Sequence, residues 1–225
     1  MKNKTTVGKE VNLLKNYPKS KRNVSGRANS KTVQDCQIAQ KFGKDFFDGS
    51  RRHGYGGFSY HPHFWGAVIP DFISHWDIQL SDSLLDIGCA KGFMLFDLLQ
   101  VMPELNVFGI DISEYAINNA KEEVKEYCRV ANAIDLPFED KSVDIILSIT
   151  TLHNLDEDEI KIAISEIERV KIRGSFITVD AYRDDYEKDL MESWNLTAKT
   201  VMHVDKWKEF FHDNGYTGDY YWFIP

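Results

Sequence analysis

The sequence predicts an α/β fold: a doubly wound, mostly parallel sheet of seven strands, preceded by a helical N-terminal extension. Three observations carry this. Apolar runs of strand length alternate with helix-period segments from about residue 82 to the end. One run, VDIILSI, is apolar nearly throughout, as a strand covered on both faces should be. A glycine-rich turn, DIGCAKG, follows the first run directly.

Each element has its own justification. Val33, Ile38, Phe42 and Phe46 recur at near-helical spacing and predict a helix over 32–47. The stretch FDGSRRHGYGGFSYHPHFW, dense in Gly, Arg, His and aromatics, interrupts the pattern. Phe64, Val68, Phe72 and Trp76 share one face of a second helix, from about 63 to 76. Then come the strand SLLDIG, the helix GFMLFDLLQVM stopping near Pro103, and the strand NVFGIDI. SEYAINNAKEEVKEY reads as a helix with Ser113 as N-cap, CRVANA as a third strand and VDIILSI as a fourth. LDEDEIKIAISEIERV is a helix with acids in its first turn, where the macrodipole favours them. SFITVDA is the fifth strand. NLTAKTV, DKWKEFFHDNG and YTGDYYWFI read as strand, helix and strand, with Gly215 as the helix stop.

The chain has 225 residues with 43% hydrophobic and 28% charged, enough for one sizeable core and unlike a disordered or collagenous chain. No apolar run reaches the roughly 20 residues of a membrane span. Lys and Asn occupy the N-terminus where a secretory signal would carry an apolar block, so the expected location is cytoplasmic, without membrane attachment. Cys36, Cys89 and Cys128 form neither a zinc pattern nor a disulfide framework, and are expected as reduced thiols. His61 and His63 flank Pro62 without a third ligand to complete a metal site, so no metal is expected.

Charge divides the chain. Residues 1–31 hold nine Lys or Arg and one acid, Glu10; the remainder holds 18 basic and 34 acidic side chains. The expected organisation is a basic, flexible tail over 1–31, a helical lid over 32–78 and the sheet domain over 79–225. The acidic body argues against a broad nucleic-acid groove, while the tail leaves open a weak, salt-sensitive RNA contact.

Right-handed crossovers place ligands at the carboxyl ends of the strands. There, Gly88 permits a sharp turn, and Ala90 and Gly92 allow a ligand close to the backbone. The next helix offers its free N–H groups. Asp86 would repel a diphosphate but suits an ammonium group. Asp111 follows Gly92 by 19 residues at the end of the second strand and suits two ribose hydroxyls. These features alone fit a dinucleotide or another adenosine ligand.

Taken together, LLDIGCAKGF, VFGIDIS, NAIDLPFEDKSVDIILS and the terminal strand–helix–strand resemble the class I, Rossmann-like S-adenosylmethionine-dependent methyltransferase superfamily, over roughly residues 82–225. The resemblance implies S-adenosylmethionine as cofactor and a domain of that type over 79–225. It implies that Asp86, Gly88, Cys89, Ala90 and Gly92 surround the methionine end. Asp111 would hold the ribose, and Ile112 would pack on the adenine. Asn132 and Ala133 would read the adenine edge, and Ser148 and Ile149 would line the sulfonium. Ala90 stands where the middle glycine is usual, and Asn132 where an acid often stands.

The resemblance also turns the loop after the fourth strand toward the methyl group. His153 becomes the candidate general base or acceptor contact, with Thr151 beside it. Arg51, Arg52, Tyr55 and Tyr60 from the extension, and Tyr182 and Arg183 after the fifth strand, become candidate acceptor contacts. The loop has no Asn-Pro-Pro-Tyr type sequence and no Pro-Cys nucleophile, which argues against base amino or cytosine C5 methylation. The expected acceptor is a small polar, anionic molecule such as a sugar, nucleotide-sugar or carboxylate, taken by a monomer or homodimer. RNA methylation and a cofactor-binding protein without transfer are the alternatives. An NAD-dependent oxidoreductase fits poorly, because no substrate domain follows.

Overall fold

The computed structural model describes residues 8–18 and 31–224. Its strands are Ser83–Ile87 (β1), Asn106–Asp111 (β2), Cys128–Val130 (β3), Val143–Ile149 (β4), Lys171–Tyr182 (β5), Met202–His203 (β6) and Asp219–Phe223 (β7). They form one seven-stranded sheet in the order β3-β2-β1-β4-β5-β6, with β7 also on β5. Every described strand pairing is parallel. The long β5 makes this possible: its residues 176–180 pair with β7, and Ala181 and Tyr182 pair with β6. β1 lies at the centre and is buried at all five positions, as expected of a strand covered on both faces.

Helices cover both faces. Ile69–Trp76 (α3) and Phe93–Val101 (α4) close one core around Phe72, Leu84, Leu95, Leu147 and Phe176. Glu157–Val170 (α6) and Val204–Asp213 (α8) close the other around Ile146, Ile164, Ile177 and Trp207. α6 begins with a capping box in which Asp156 and Glu159 each accept from the other's backbone N–H. The remaining helices are Val33–Ala39 (α1), Lys44–Phe47 (α2), Glu114–Asn118 (α5) and Asp185–Trp194 (α7).

Four expectations change. The helix over 32–47 is two helices, α1 and α2, separated at Phe42, whose φ of 47° leaves the helical region. The helix from Ser113 keeps its N-cap, with Ser113 Oγ accepting from Ala116 N–H, but α5 ends at Asn118 and Glu122–Tyr127 continues as a 3₁₀ turn. NLTAKTV is not a strand. Asn195 Oδ1 accepts from the Thr197 and Ala198 N–H groups at 2.8 and 2.7 Å, an Asx-type turn that competes with extended pairing. α7 was not expected; Asp184 caps it by accepting from Glu187 N–H.

A further change concerns the tail. Residues 8–18 pack on the sheet: Val11 N–H donates to Tyr220 O and Tyr220 N–H to Lys9 O, both at 3.0 Å. Leu13 enters the α3–α4 core, and the Tyr17 ring lies 5.0 Å from Trp65. At 31, Lys31 Nζ donates to Glu192 O and Asn195 O at the C-terminus of α7, where a cation is favoured. The expected mobility of 1–7 and 19–30 lies outside the described residues.

The glycine turn depends on a second glycine behind it. Gly109 of β2 sits beside Asp86 in register. A methyl group there would stand 2.8 Å from Cys89 Sγ, 2.8 Å from Leu95 Cδ1 and 3.1 Å from Cys128 Sγ. Gly109→Ala is therefore expected to cost about 1–3 kcal/mol through overpacking, read as a lower urea midpoint with an unchanged slope.

Candidate cofactor and acceptor site

β1 ends at Ile87 and the chain turns at once. Gly88 has φ 83°, Ala90 50° and Gly92 72°, so the turn reverses through three left-handed residues. Ala90 bears the cost of a Cβ there, and its N–H donates to Asp111 Oδ2 at 2.8 Å. Gly88 and Cys89 both donate to Ile110 O, which ties the turn to β2. Gly92 then serves as N-cap of α4. The Cys89 side chain is buried beside Gly109 and Cys128, so this residue offers the turn only its backbone.

Two carboxylates close the carboxyl ends of β1 and β2. Asp86 is 5% exposed, and no described group donates to it or pairs with it. Burial first, and the charge of Asp111 second, push its pKa up to about 8. Asp111 accepts from Ala90 N–H and Ser113 N–H, one on each oxygen at 2.8 Å. Burial still raises its pKa despite those two bonds. About two of its four lone-pair positions remain for a diol. Beside it, Ile112 is 55% exposed, an apolar side chain at the rim.

Asn132 and Ala133 follow β3 and are half-buried. Asn132 accepts from Ile134 N–H through Oδ1 and from Asp135 N–H through its carbonyl, which shapes a tight turn there. On β4, Ser148 is in register with Ile177 of the α6–α8 core, so its side chain points to that layer and only its backbone borders the turn. Its Oγ has no partner. Ile149 shares the face of Leu147, the register partner of Asp86. The Thr151 side chain stands over Gly88, where any Cβ would collide with it.

His153 does not match its expected role. It is 4% exposed, its Nδ1 accepts from Asp180 N–H at 3.0 Å, and its Nε2 lies 3.4 Å from Asp180 Oδ2. Burial lowers its pKa to about 3. Its carbonyl accepts from Lys199 N–H and Thr200 N–H at 3.0 Å. The imidazole is neutral and buried, part of a knot that joins the ends of β4 and β5 to the loop before β6. It is not a base facing an acceptor.

The expected acceptor contacts are also engaged elsewhere. Arg52 donates to buried Asp35 at 2.6 Å and holds that carboxyl well below its usual range, helped by Thr32. Arg51 Nη1 donates to Tyr55 O at 2.6 Å, and the Tyr55 ring packs among Phe46, Phe47 and Phe58. Tyr60 donates to Asp97 Oδ1 at 2.6 Å and lies edge-on to Phe93 and Phe96. Arg183 forks onto Glu187 one helical turn on, and Tyr182 packs against His203 at the β6 edge.

The sequence reading gave Lys91 no role of its own, and it placed Asp180 and Asn195 only as residues that could shape a polar acceptor site. Lys91, inside the turn, is 8% exposed and bonded to Asp48 of the extension. Asp180 and Asn195, joined side chain to side chain, sit at the carboxyl end of β5. Among the described residues no cluster of three or more His, Cys, Asp or Glu is arranged to hold a metal, and no helix is long and apolar enough to cross a membrane.

A parallel sheet with this turn after its first strand and an acid ending its second matches the class I, S-adenosylmethionine-dependent methyltransferase fold that the sequence resembles. Residues 85–179 match the family described as a methyltransferase domain. A tRNA (carboxymethyluridine(34)-5-O)-methyltransferase of Arabidopsis thaliana is 31% identical over 126 residues, 55% of this chain and 30% of that protein. A demethylmenaquinone methyltransferase of Symbiobacterium thermophilum is 32% identical over 152 residues, 64% of this chain and 59% of that protein. The chain thus spans less than two thirds of either relative. The crystal structure of MccD protein superposes with a TM-score of 0.50 at 25% identity, covering 64% of this chain and 68% of that one.

The cofactor this family implies is S-adenosylmethionine, and the site fits it: a buried carboxylate without a partner awaits a cation beside a backbone cradle.

Two pH effects of opposite sign follow. Asp86 has a raised pKa in the folded protein, so folding stability falls as pH rises from about 4 to about 8, where the unfolded carboxyl has already ionised. Asp86→Asn removes this loss, and ligand-free protein should melt higher than wild type at pH 8 but not at pH 4. His153 has a lowered pKa, so its contribution is complete above about 6.5 and is lost as pH falls toward 3. His153→Gln should flatten that acid limb in thermal melts across pH 4–7.

Proposed function

We propose that the protein transfers a methyl group from S-adenosylmethionine to an oxygen or nitrogen atom of a small polar acceptor. The observation that carries this reading is Asp86, a carboxylate held in the sheet's interior with no protein donor. Such a group is stable when ionised only beside a cation. The ammonium of the methionine moiety supplies one, and a diphosphate would not.

In this reading Asp86 binds the ammonium, the Gly88–Gly92 backbone encloses the methionine chain, and Asp111 accepts from the ribose hydroxyls. Ile112 covers one adenine face, and the backbone of Asn132 and Ala133 meets its edge. Ile149 and Thr151 border the sulfur. Bound S-adenosylmethionine supplies a methyl group on a positively charged sulfur, whose leaving group is a neutral thioether. The protein's contribution is then alignment and exclusion of water. The extension supplies the exclusion by packing Phe58 on Phe93, the residue after Gly92.

An anionic acceptor needs a cation to meet it, and Arg52 and Arg183 are committed to Asp35 and Glu187. The acceptor we favour is therefore polar without a required negative charge. RNA methylation is the second reading, supported by the plant tRNA-modifying relative and the nine basic residues of 1–31.

Calorimetry with S-adenosylmethionine and its demethylated product, against NAD, tests the reading. Asp111→Ala and Asp86→Asn should each weaken both sulfur ligands at least about tenfold, a loss of about 1.4 kcal/mol. Uptake of NAD with no heat from either sulfur ligand would overturn the proposal. Labelled methyl transfer to bulk tRNA, lost on replacing Lys19, Lys21, Arg22 and Arg27 together with Gln and steeply salt-dependent, would favour the RNA reading.

A further inference from the structure

We infer that Asp48 of the extension is a positioning residue for the cofactor turn; this rests on the cofactor reading above. One carboxylate collects donors from both walls of the site. Lys91 Nζ reaches Asp48 Oδ2 at 2.6 Å and Tyr115 Oη reaches the same oxygen at 2.7 Å, while Phe58 N–H reaches Oδ1 at 3.0 Å. Lys91 belongs to the turn itself, between Ala90 and Gly92. Tyr115 stands in the first turn of α5, four residues after Asp111. Phe58 closes the loop of the extension, and its carbonyl accepts a second bond from Lys91 Nζ at 2.9 Å. Burial would raise the Asp48 pKa, yet these donors, Lys91 foremost, hold it down at about 2. The group is a permanent anion.

A second contact repeats the pattern. Ser113, whose N–H holds Asp111 Oδ1, donates its hydroxyl to Phe42 O of the extension. Phe42 adopts φ 47° to present that carbonyl. Lys91 in the turn, Phe93 just after it, and Ser113 and Tyr115 beyond Asp111 are thus all anchored to residues 42–58. The aromatic packing agrees: Phe58 stacks on Phe93 at 5.1 Å and Phe47 on Tyr115 at 6.3 Å. Gly54 is packed against Phe46, where a Cβ would collide with its carbonyl, so this segment is a folded brace and not a hinged flap.

The energetic reason is the lysine. A cation 8% exposed has lost most of its hydration and is stable only against its partner. Remove the Asp48 charge and Lys91 must seek water or another anion. Asp86 and Asp111 are the carboxylates at the ends of the two strands that flank its turn. Either movement disturbs the cradle. Asp48 therefore sets cofactor affinity without touching the cofactor.

The test is calorimetric titration of S-adenosylhomocysteine, well below the melting temperature of every variant used. Asp48→Asn keeps the volume and two acceptor bonds and deletes the charge. It should raise the dissociation constant about tenfold, within the range of couplings between distinct sites. Arg52→Gln, which loosens the extension at Asp35, should lower the melting temperature and leave affinity within about twofold of wild type. Lys91→Met in the Asp48→Asn background should cost no more affinity than either change alone, because the pair acts as one unit. Wild-type affinity in Asp48→Asn overturns the inference, as does an equal loss in Arg52→Gln, which would mean general loosening. If Asp48→Asn fails to fold, Tyr115→Phe carries the test: a smaller loss supports the inference and unchanged affinity overturns it. Failure of the wild-type protein to bind would overturn the cofactor reading itself, and this inference with it.

Discussion

Two acids stand at the carboxyl ends of neighbouring parallel strands, and the burial they share organises what surrounds them. Parallel pairing brings β1 and β2 to the same edge in register, so Asp86 and Asp111 cannot avoid one another. The protein treats them differently. Asp111 sits where two backbone N–H groups can reach it, one from the glycine turn and one from the start of α5. Asp86 is one strand further in, flanked by Gly109 and Leu147, which offer it no side-chain donor. A carboxyl in that position either keeps its proton or waits for a cation from outside. The stability given up there is the cost of leaving a site ready to be filled.

Everything near the pair serves to hold the turn open at the right depth. Gly109 makes room for Cys89, Leu95 and Cys128 behind it. The positive φ values at Gly88, Ala90 and Gly92 aim the backbone at the space in front. The extension fixes the outer side through Asp48 and Phe42. On the acceptor side, the knot of His153, Asp180 and Asn195 performs the equivalent task for the ends of β4 and β5. Each brace includes a buried, engaged group, Lys91 in one and His153 in the other, so each is rigid for the same reason: letting go would strand a polar atom away from water.

Most of the sheet was legible in the sequence because its strands are apolar runs bounded by turns, and periodicity reports that directly. The turn, Asp86, Asp111 and the N-cap at Ser113 were legible because the topology rule says where ligands meet a parallel sheet. α7 was not, because it buries only Met191 fully and shows a thin apolar stripe. The packing of 8–18 was not, because Val11, Leu13, Leu14 and Tyr17 span less than two helical turns and dock by contact rather than by period. The side-chain errors share one cause. Arg52 with Asp35, Tyr60 with Asp97 and His153 with Asp180 are partners separated by 17 to 37 residues, so their commitments are invisible before the chain is folded. A functional-looking residue type in a functional-looking loop is only an offer; the fold decides whether the group is already spent.

Lys91 shows how far that decision reaches. A lysine inside a glycine turn at a strand's end is what an anion site uses, with its ammonium turned inward to meet phosphate oxygens. Here the same residue type, in nearly the same place, is turned outward and neutralised by Asp48. The inner surface of the turn is left to Asp86 and Asp111. The local motif therefore does not by itself distinguish a cation site from an anion site. In the proposed site Asp86 and Asp111 set the preference for a cation, and Asp48, more than 40 residues upstream in a segment outside the sheet, keeps Lys91 turned away from them.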